Sequence, residues 1–332
     1  MAQLTATYDT YDARGLREEL ADTISNISPE ETPFMSLIGK SKVKTTHPEW
    51  QLDALATPSA SNAFVQGDEF TYVDPTATTR VGNYTQISRK SLVVSNTLEV
   101  TDKAGRDSEI GYQMSKLGLE LRKDQEAILL SNTASVVGSN VVAPLLGGFP
   151  SWLTSNDSRG SGGSDGGFSS GTGLTVAATN GTQRAFTKTI MDTVMQAVYN
   201  SGGNAKTVIC SPYVKSVFVT FMSDTNVAAF RYAAGDDNTI IGNADYYDGP
   251  FGKVAIVPNR VMAAVGATIA RNVFFVDSEM ASVGVLRPYE QKKPAITGDA
   301  EKRVLITEYT LKVNNQAAHG VAADIYGMTS SS

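Results

Sequence analysis

The residues able to carry chemistry are few and far apart. The chain has two histidines in 332 residues, His47 and His319. His47 precedes a proline in an extended stretch, and His319 sits in a turn of small residues. Neither has the spacing by which one helix face presents two imidazoles to a metal. Cys210 is the only cysteine, which excludes an intrachain disulfide and a cysteine-based zinc site. It ends an apolar strand, with Lys206 and Lys215 as the nearest basic residues, and reads as a buried, inert thiol. Carboxylates alone would have to hold a metal. Asp245-Tyr246-Tyr247-Asp248-Gly249 has the residue types of a calcium loop without its spacing. Gly39-Lys40-Ser41 imitates the end of a phosphate loop, but Phe34 stands where the first glycine is needed, so no backbone nest can form. Two G-x-S-x-G strings centre on Ser164 and Ser169. A nucleophile elbow needs a strand before the serine and a helix after it. Both strings lie instead in a Gly/Ser-rich run, where composition alone produces such matches. The remaining carboxylates are scattered, and nothing separates an acid from a base. The residues predict no enzyme, no metal and no cofactor. A serine hydrolase or surface-binding module built on the Gly/Ser run is the alternative from another class.

Composition narrows the partners. Hydrophobic residues make up 41% and charged residues 19% of the chain, a low charge fraction that predicts a surface partly covered by other subunits. The net charge is −6 and no segment is rich in Lys and Arg, which argues against tight nucleic-acid binding. Asp9 and Asp12 occupy the region where a signal peptide needs an apolar run, and no apolar run is long enough to span a membrane. The expectation is a protein made and used in a reducing cytoplasm, with length enough for two domains.

The elements that must position any site are unequal in character. Thr101 to Asn132 contains no proline, and Ile110, Met114, Leu117, Leu121 and Ile128 recur on one helical stripe. This predicts a helix of about 30 residues, ~45 Å long, capped by Thr101. Lys116–Glu120 and Arg122–Glu126 are expected as i,i+4 pairs on its outer faces. Two helices broken near Gly111 or Gly118 are the alternative. Before it, Ser28-Pro29-Glu30-Glu31 has the form of a capping box, Pro33 discourages a long continuation, and Phe34, Met35, Leu37 and Ile38 form an apolar plug. Residues 43–100 read as a long two-stranded excursion with few core residues, turning at Gly67-Asp68 and returning as a strand over Glu69–Val73. Such a ribbon needs another surface to lie on. It is either an ordinary pair of edge strands on the chain's own sheet or a ribbon packed on a neighbouring subunit through Trp50, Phe64, Phe70 and Tyr72.

After the long helix, Asn156 to Gly173 holds 12 Gly or Ser in 18 residues and is expected to be a flexible surface loop. A helix around Thr182–Asn200, a buried strand at Thr207–Cys210 and a helix over Tyr213–Met222 then open an α/β unit. Strands are expected at Gly252–Pro258, Val273–Val276 and Val283–Arg287, the last ended by Pro288. Glu301–Val313 alternates cleanly, with Leu305, Thr307, Tyr309, Leu311 and Val313 on one face. Gly320–Tyr326 is expected to return against it as a hairpin, under which Leu117 and Leu121 should be buried.

This order of arm, ribbon, strut helix, α/β unit and terminal strands resembles the major capsid proteins of tailed bacteriophages. Ser28-Pro-Glu-Glu-Thr-Pro-Phe34, Ile209-Cys-Ser-Pro-Tyr-Val-Lys215 and Ala295-Ile-Thr-Gly-Asp299, followed by Thr307-Glu-Tyr-Thr-Leu311, carry the resemblance. It implies an α+β capsid fold divided into an N-terminal arm (1–42), an E-loop ribbon with return strands (43–100), the spine helix of a peripheral domain (101–135), a Gly/Ser-rich insertion (136–181), an axial domain (182–290) and a peripheral-domain hairpin (291–328). It further implies a homo-oligomer of hexamers and pentamers that closes an icosahedral shell around double-stranded DNA, without sequence-specific binding and without a membrane. Its partners would be scaffolding, portal and decoration proteins, and its place the virion, assembled in the host cytoplasm. An encapsulin-like compartment shell is the alternative within the same fold. Some members of the family cross-link through an E-loop lysine, but Thr45–Arg89 contains no lysine, so no isopeptide bond is expected there. The chain begins almost at the arm, which predicts a separate scaffolding partner or a segment already removed.

Overall fold

The computed structural model describes residues 31–220 and 245–325. The expected capping box at Ser28 and the end of the helix after Thr220 lie outside the described residues. The chain runs α1 (Pro33–Leu37), β1 (Lys40–Lys42), β2 (Glu49–Leu52), β3 (Thr79–Gly82), β4 (Gln86–Ser95), α2 (Asn96–Val100) and α3 (Glu109–Leu130). It continues with β5 (Asp157–Ser158), β6 (Gly167–Ser169), β7 (Leu174–Val176), α4 (Lys188–Asn200), β8 (Thr207–Cys210) and α5 (Pro212–Thr220). Last come β9 (Tyr246–Gly249), β10 (Gly252–Pro258), α6 (Arg260–Val265), α7 (Ala267–Ala270), β11 (Val273–Val276), β12 (Ala281–Lys292), β13 (Ala300–Val313) and β14 (Gly320–Ala322).

Two sheets organise these elements. A four-stranded sheet has the order β1-β12-β13-β4, and a six-stranded sheet has the order β5-β14-β11-β8-β10-β9. The six-stranded sheet separates two apolar cores, and the period-two alternation of its strands supplies both. Ile209, Phe274 and Val321 face the first core, together with Phe34, Leu129, Phe149 and Leu311. Val208, Cys210, Phe275 and Ala322 face the second, which α4 and α5 close with Met191, Val194, Val214 and Phe218. The near-continuous apolar runs of β8 and β11 follow from burial on both faces.

The long helix is shorter than its stripe suggested. α3 begins at Glu109, not Thr101, and its 22 residues span ~33 Å. The cap is Ser108, whose hydroxyl accepts from Gly111 N–H at 3.1 Å. Glu99 reinforces it by accepting from Ser108 Oγ at 2.7 Å and from Glu109 N–H at 3.1 Å. Thr101 instead ends α2, and Gly105 turns the chain between the helices at φ +76°. The helix runs unbroken through Gly111 and Gly118. It packs against β4 and β13 with Leu121 buried and Ile110, Met114 and Leu117 half-buried. Lys116 and Glu120 pair at 3.9 Å. The expected Arg122–Glu126 surface pair does not form, because Glu126 faces inward.

Three other expectations change. β13 pairs with β12 and β4, whereas β14 leaves for the other sheet, antiparallel to β11 and parallel to β5. There is therefore no 301–326 hairpin. The apolar Gly320–Ala322 is buried in full and fits a sheet with cores on both faces. β12 passes through Pro288 to Lys292, with register shifts flanking it that accommodate a residue unable to donate to the ladder. The Gly/Ser-rich run is not a featureless loop: β6 and β7 form a hairpin, Ser164 bridges Thr179, and β5 joins the six-stranded sheet. Gly160, Gly166 and Gly167 allow close approach of neighbouring atoms. A Cβ on Gly160 would lie 2.0 Å from the Thr182 carbonyl oxygen.

Candidate assembly surfaces

The side chains that might have carried chemistry are placed structurally. Burial pushes the Cys210 thiol up to about 12, so the thiolate is scarce at neutral pH. His47 stacks on Tyr84, with ring centroids 4.2 Å apart. His319 is fully buried. Its Nδ1 accepts from Asp277 N–H at 3.2 Å, and its Nε2 lies 3.3 Å from the Met280 carbonyl oxygen, to which it donates. Burial lowers its pKa to about 4 and keeps the ring neutral. Lys40-Ser41-Lys42 is a strand rather than a loop opening a helix. Ser164 and Ser169 lie in the β6–β7 region with no following helix. Among the described residues, no group of three or more His, Cys, Asp or Glu side chains could hold a metal ion.

The ribbon is the feature that the rest does not absorb. Its root is tight. β2 and β3 pair from Glu49↔Gly82 to Leu52↔Thr79. Asn83 locks the return leg, donating to the Leu311 carbonyl at 2.8 Å and accepting from Gly147 N–H at 2.8 Å. Trp50 stacks on Trp152 at 5.5 Å, and Phe168 of the β6–β7 hairpin also stacks on Trp152, at 5.9 Å. Trp50 is thus a root residue packed on its own core. Beyond Leu52 the pairing stops. Residues 53–78 form no strand, and the expected strand at Glu69–Val73 is absent. Gly67 does turn the chain, at φ +89°, with Asp68 N–H donating to the Val65 carbonyl. Phe64, Phe70 and Tyr72 are 77%, 84% and 90% exposed, and Leu55, Val65 and Val73 are exposed with them.

The second feature is a joint that sequence reasoning missed. Glu126, near the C-terminal end of α3, is fully buried. Its Oε1 accepts from Phe34 N–H at 2.8 Å and from Asn259 Nδ2 at 2.7 Å, and its Oε2 accepts from Met35 N–H at 2.8 Å. Thr32, at the N-cap of α1, makes no side-chain cap, so Glu126 supplies the missing acceptor across 91 or more residues of sequence. Asn259 Oδ1 in turn accepts from Val261 and Met262 N–H, capping α6. Burial pushes the Glu126 pKa up, against the pull of these donors. One carboxylate thus fastens the plug after the arm, the spine of the first core and the turn leaving β10. A carboxylate four residues from an arginine on a helix reads as a surface pair, and nothing local in the sequence signals otherwise.

The chain is similar to known capsid proteins. A family model described as SU10 major capsid protein matches residues 3–326. The major capsid protein of Escherichia phage Phieco32 is 41% identical over 125 residues, which are 38% of this chain and 36% of that protein, so the match spans about a third of the relative's length. In structure, the capsid of a native GTA particle computed with C5 symmetry superposes with a TM-score of 0.61 at 13% identity, covering 98% of this chain and all of that one. The holo-SrpI encapsulin complex from Synechococcus elongatus PCC 7942 gives 0.53 at 11% identity, covering 96% of this chain and 95% of that one. At such identities these likenesses establish the fold, α+β with the architecture of tailed-phage capsid proteins. The family model covers nearly the whole sequence, and the chain belongs to the SU10 major capsid protein family.

Proposed function

We propose that this chain is the building unit of a tailed-phage head, joining in hexamers and pentamers to close an icosahedral shell around packaged double-stranded DNA. The observation that carries the reading is the ribbon: residues 53–78 hold Phe64, Phe70 and Tyr72 in solvent with no strand beside them. Burying each large apolar side chain stabilises by ~1.5–3 kcal/mol, and a neighbouring subunit would supply that burial with the root at Trp50 kept intact. The role is structural, not catalytic. Residues 1–42 act as an arm, 43–100 as the E-loop with its return strands, α3 with β12 and β13 as the peripheral domain, and the residues from 182 to the start of β12 at Ala281 as the axial part facing the capsomer centre. A balance of −6 suits a wall that encloses DNA without gripping it. Scaffolding, portal and decoration proteins are the expected partners, with assembly in the host cytoplasm and residence in the virion.

The likeness to an encapsulin supports a second reading, a compartment shell holding an enzyme. The family match favours the phage head. Negative-stain microscopy of purified particles, with nuclease-protected DNA measured in parallel, separates the two. Shells with protected DNA are expected. Shells carrying an enzyme cargo and no DNA support the second reading, and a monodisperse monomer under every assembly condition would falsify both.

A further inference from the structure

The start of the Gly/Ser-rich run carries a knot of charge. Arg159, just past β5, has a side chain 8% exposed. Its Nε lies 3.0 Å from Asp157 Oδ2 and 2.6 Å from Asp165 Oδ1, so two carboxylates share one N–H. Its Nη2 is buried and bonds to neither. The guanidinium therefore does not use the two-pronged geometry by which arginine best holds a carboxylate. The other charges in reach are engaged elsewhere. Asp324, after β14, is fully buried, pairs with Arg271 at the end of α7 at 2.8 Å and accepts from Gly160 N–H at 2.9 Å. Arg184, before α4, donates to Ser158 Oγ at 2.9 Å and to the Ala323 carbonyl at 3.3 Å. α4 packs on β5 but gives its Asp192 to the Tyr247 hydroxyl and leaves Lys188 exposed. Burial and the nearness of Asp165 push the Asp157 carboxyl up to about 6, against the pull of Arg159.

These carboxylates sit at the foot of the β6–β7 hairpin. Its β7 leg is fixed to the segment after α3: Thr175 exchanges hydrogen bonds of 2.8 Å with Ser135, and Ala178 does the same with Asn132 at 2.6 and 2.9 Å. Its β6 leg enters through Ser164, bridged to Thr179, and through Asp165 on Arg159. Shortly after Asp165, Phe168 stacks on Trp152 with the rings 7° from parallel, and Trp152 carries Trp50 of the ribbon's root. We propose that Asp157 and Asp165 close on Arg159 as a proton-dependent brace, which holds Phe168 on Trp152 and through it steadies the root of the ribbon. With one proton between them, the two carboxyls face each other across a hydrogen bond while Arg159 neutralises the remaining charge. Without it, two negative charges meet on one N–H, and the β6 leg opens to part them. A carboxyl whose pKa is raised by folding gives its full support below the ordinary value of 3.8 and loses it as pH rises through about 6. The brace is therefore tight in acid and loose at neutral pH. It belongs to the single subunit and stands whether or not the chain closes a shell.

The chain has two tryptophans, Trp50 and Trp152, so its tryptophan emission reads this stack alone. In the full chain, emission should shift in one step with its midpoint near pH 6. Asp157→Asn and Asp165→Asn should each abolish the step, because a single carboxylate stays on Arg159 throughout. Hydrogen exchange places the change. The Ser164 amide donates to the Thr179 carbonyl at 3.2 Å. Once exchange is corrected for its intrinsic pH dependence, that amide should open about tenfold more often at pH 7.5 than at pH 5, while the Thr175 amide changes by less than about twofold. Phe168→Ala tests the link to the root: it should keep the response at Ser164 and remove the step in emission. An emission that stays flat from pH 5 to pH 8 in the unaltered chain overturns the proposal without recourse to any variant. Opening at Ser164 with no change in emission separates the hairpin from the ribbon's root and overturns it equally. A step that survives both aspartate variants and disappears in His47→Gln or His319→Gln assigns the titration to a histidine, which also overturns it.

Discussion

Replacing Glu126 with glutamine keeps the size of the side chain and removes its charge at the point where three segments meet. Glu126 accepts three hydrogen bonds, from Phe34 N–H, Met35 N–H and Asn259 Nδ2. A glutamine offers one carbonyl oxygen and an NH2 group, so at least one of these N–H donors must face another donor. Hydrogen bonds to a charged acceptor contribute about 1.5–3 kcal/mol each, and a buried donor left unpaired costs about 1–3 kcal/mol. Losing one bond and weakening the others to neutral strength gives an expected loss of ~3 kcal/mol. The loss should also be local. In hydrogen exchange of the full chain, the amides of Phe34 and Met35 should lose protection first, followed by those of Val261 and Met262, whose cap Asn259 is held by the same carboxylate. Urea unfolding gives the magnitude and exchange gives the place. A change under ~0.5 kcal/mol, the range of an ordinary surface substitution, with exchange at residues 33–38 unaltered, would show that the plug is held by Phe34 packing alone and that the carboxylate is incidental.

Other consequences can be read with simple assays. His319 has its pKa lowered to about 4 from 6.5, so its contribution is full above pH 6.5 and is lost as pH falls towards 4. The loss amounts to ~3 kcal/mol and should appear as a fall in melting temperature over that window that a His319→Gln variant does not share. Cys210 should resist a thiol reagent in the native chain at neutral pH and react at once in denaturant, and rapid native labelling would contradict its burial. Leu121→Asp places a carboxylate where a side chain is 1% exposed, a cost of several kcal/mol, and should yield no folded subunit by circular dichroism. A soluble, folded Leu121→Asp monomer would place that stripe between subunits instead. Denaturing gels of particles should show a single monomer band, since residues 45–89 hold no lysine to cross-link, and a covalent ladder would count against this.

The sequence shows clearly those elements whose signals are local. The alternation of β13, the stripe of α3 through Leu121 and the turn at Gly67 each depend on a few neighbouring residues. The misses come from competition or distance. Thr101 and Ser108 are both plausible caps, and the choice fell to Ser108 because Gly105 adopts a left-handed turn and Glu99 reaches forward to the new helix start. Gly320–Ala322 is too short to declare its partner, and pairing with β11 is fixed by burial on both faces rather than by any turn. The Gly/Ser run looked featureless because glycine signals freedom and close approach in the same letter, and only the approach of Thr182 to Gly160 separates them. The ribbon's aromatics were visible, but Trp50 was grouped with the other three although its ring is bound at home to Trp152. Glu126 was hidden because its partners are 91, 92 and 133 residues away.

Helix α1 and the ribbon are rooted in a single core, and this links them. Phe34, behind the arm, lies against Phe149 with ring centroids 5.1 Å apart, and Phe149 also meets Phe274 of the six-stranded sheet at 5.5 Å and His319 at 5.1 Å. Trp152, three residues on, carries Trp50 at the base of the ribbon. The turn Phe149–Ser151, fully buried, therefore stands between α1, the root of the ribbon and the sheet that divides the cores. Close-packed interiors have few voids and do not deform continuously. A load on a ribbon seated in a neighbour thus acts on Trp152 and through it on the seat of Phe34, where Glu126 holds the plug. With the ribbon held by a neighbour, as proposed above, that geometry ties the ribbon's root and α1 to one rigid point, so that neither can shift without the other registering it.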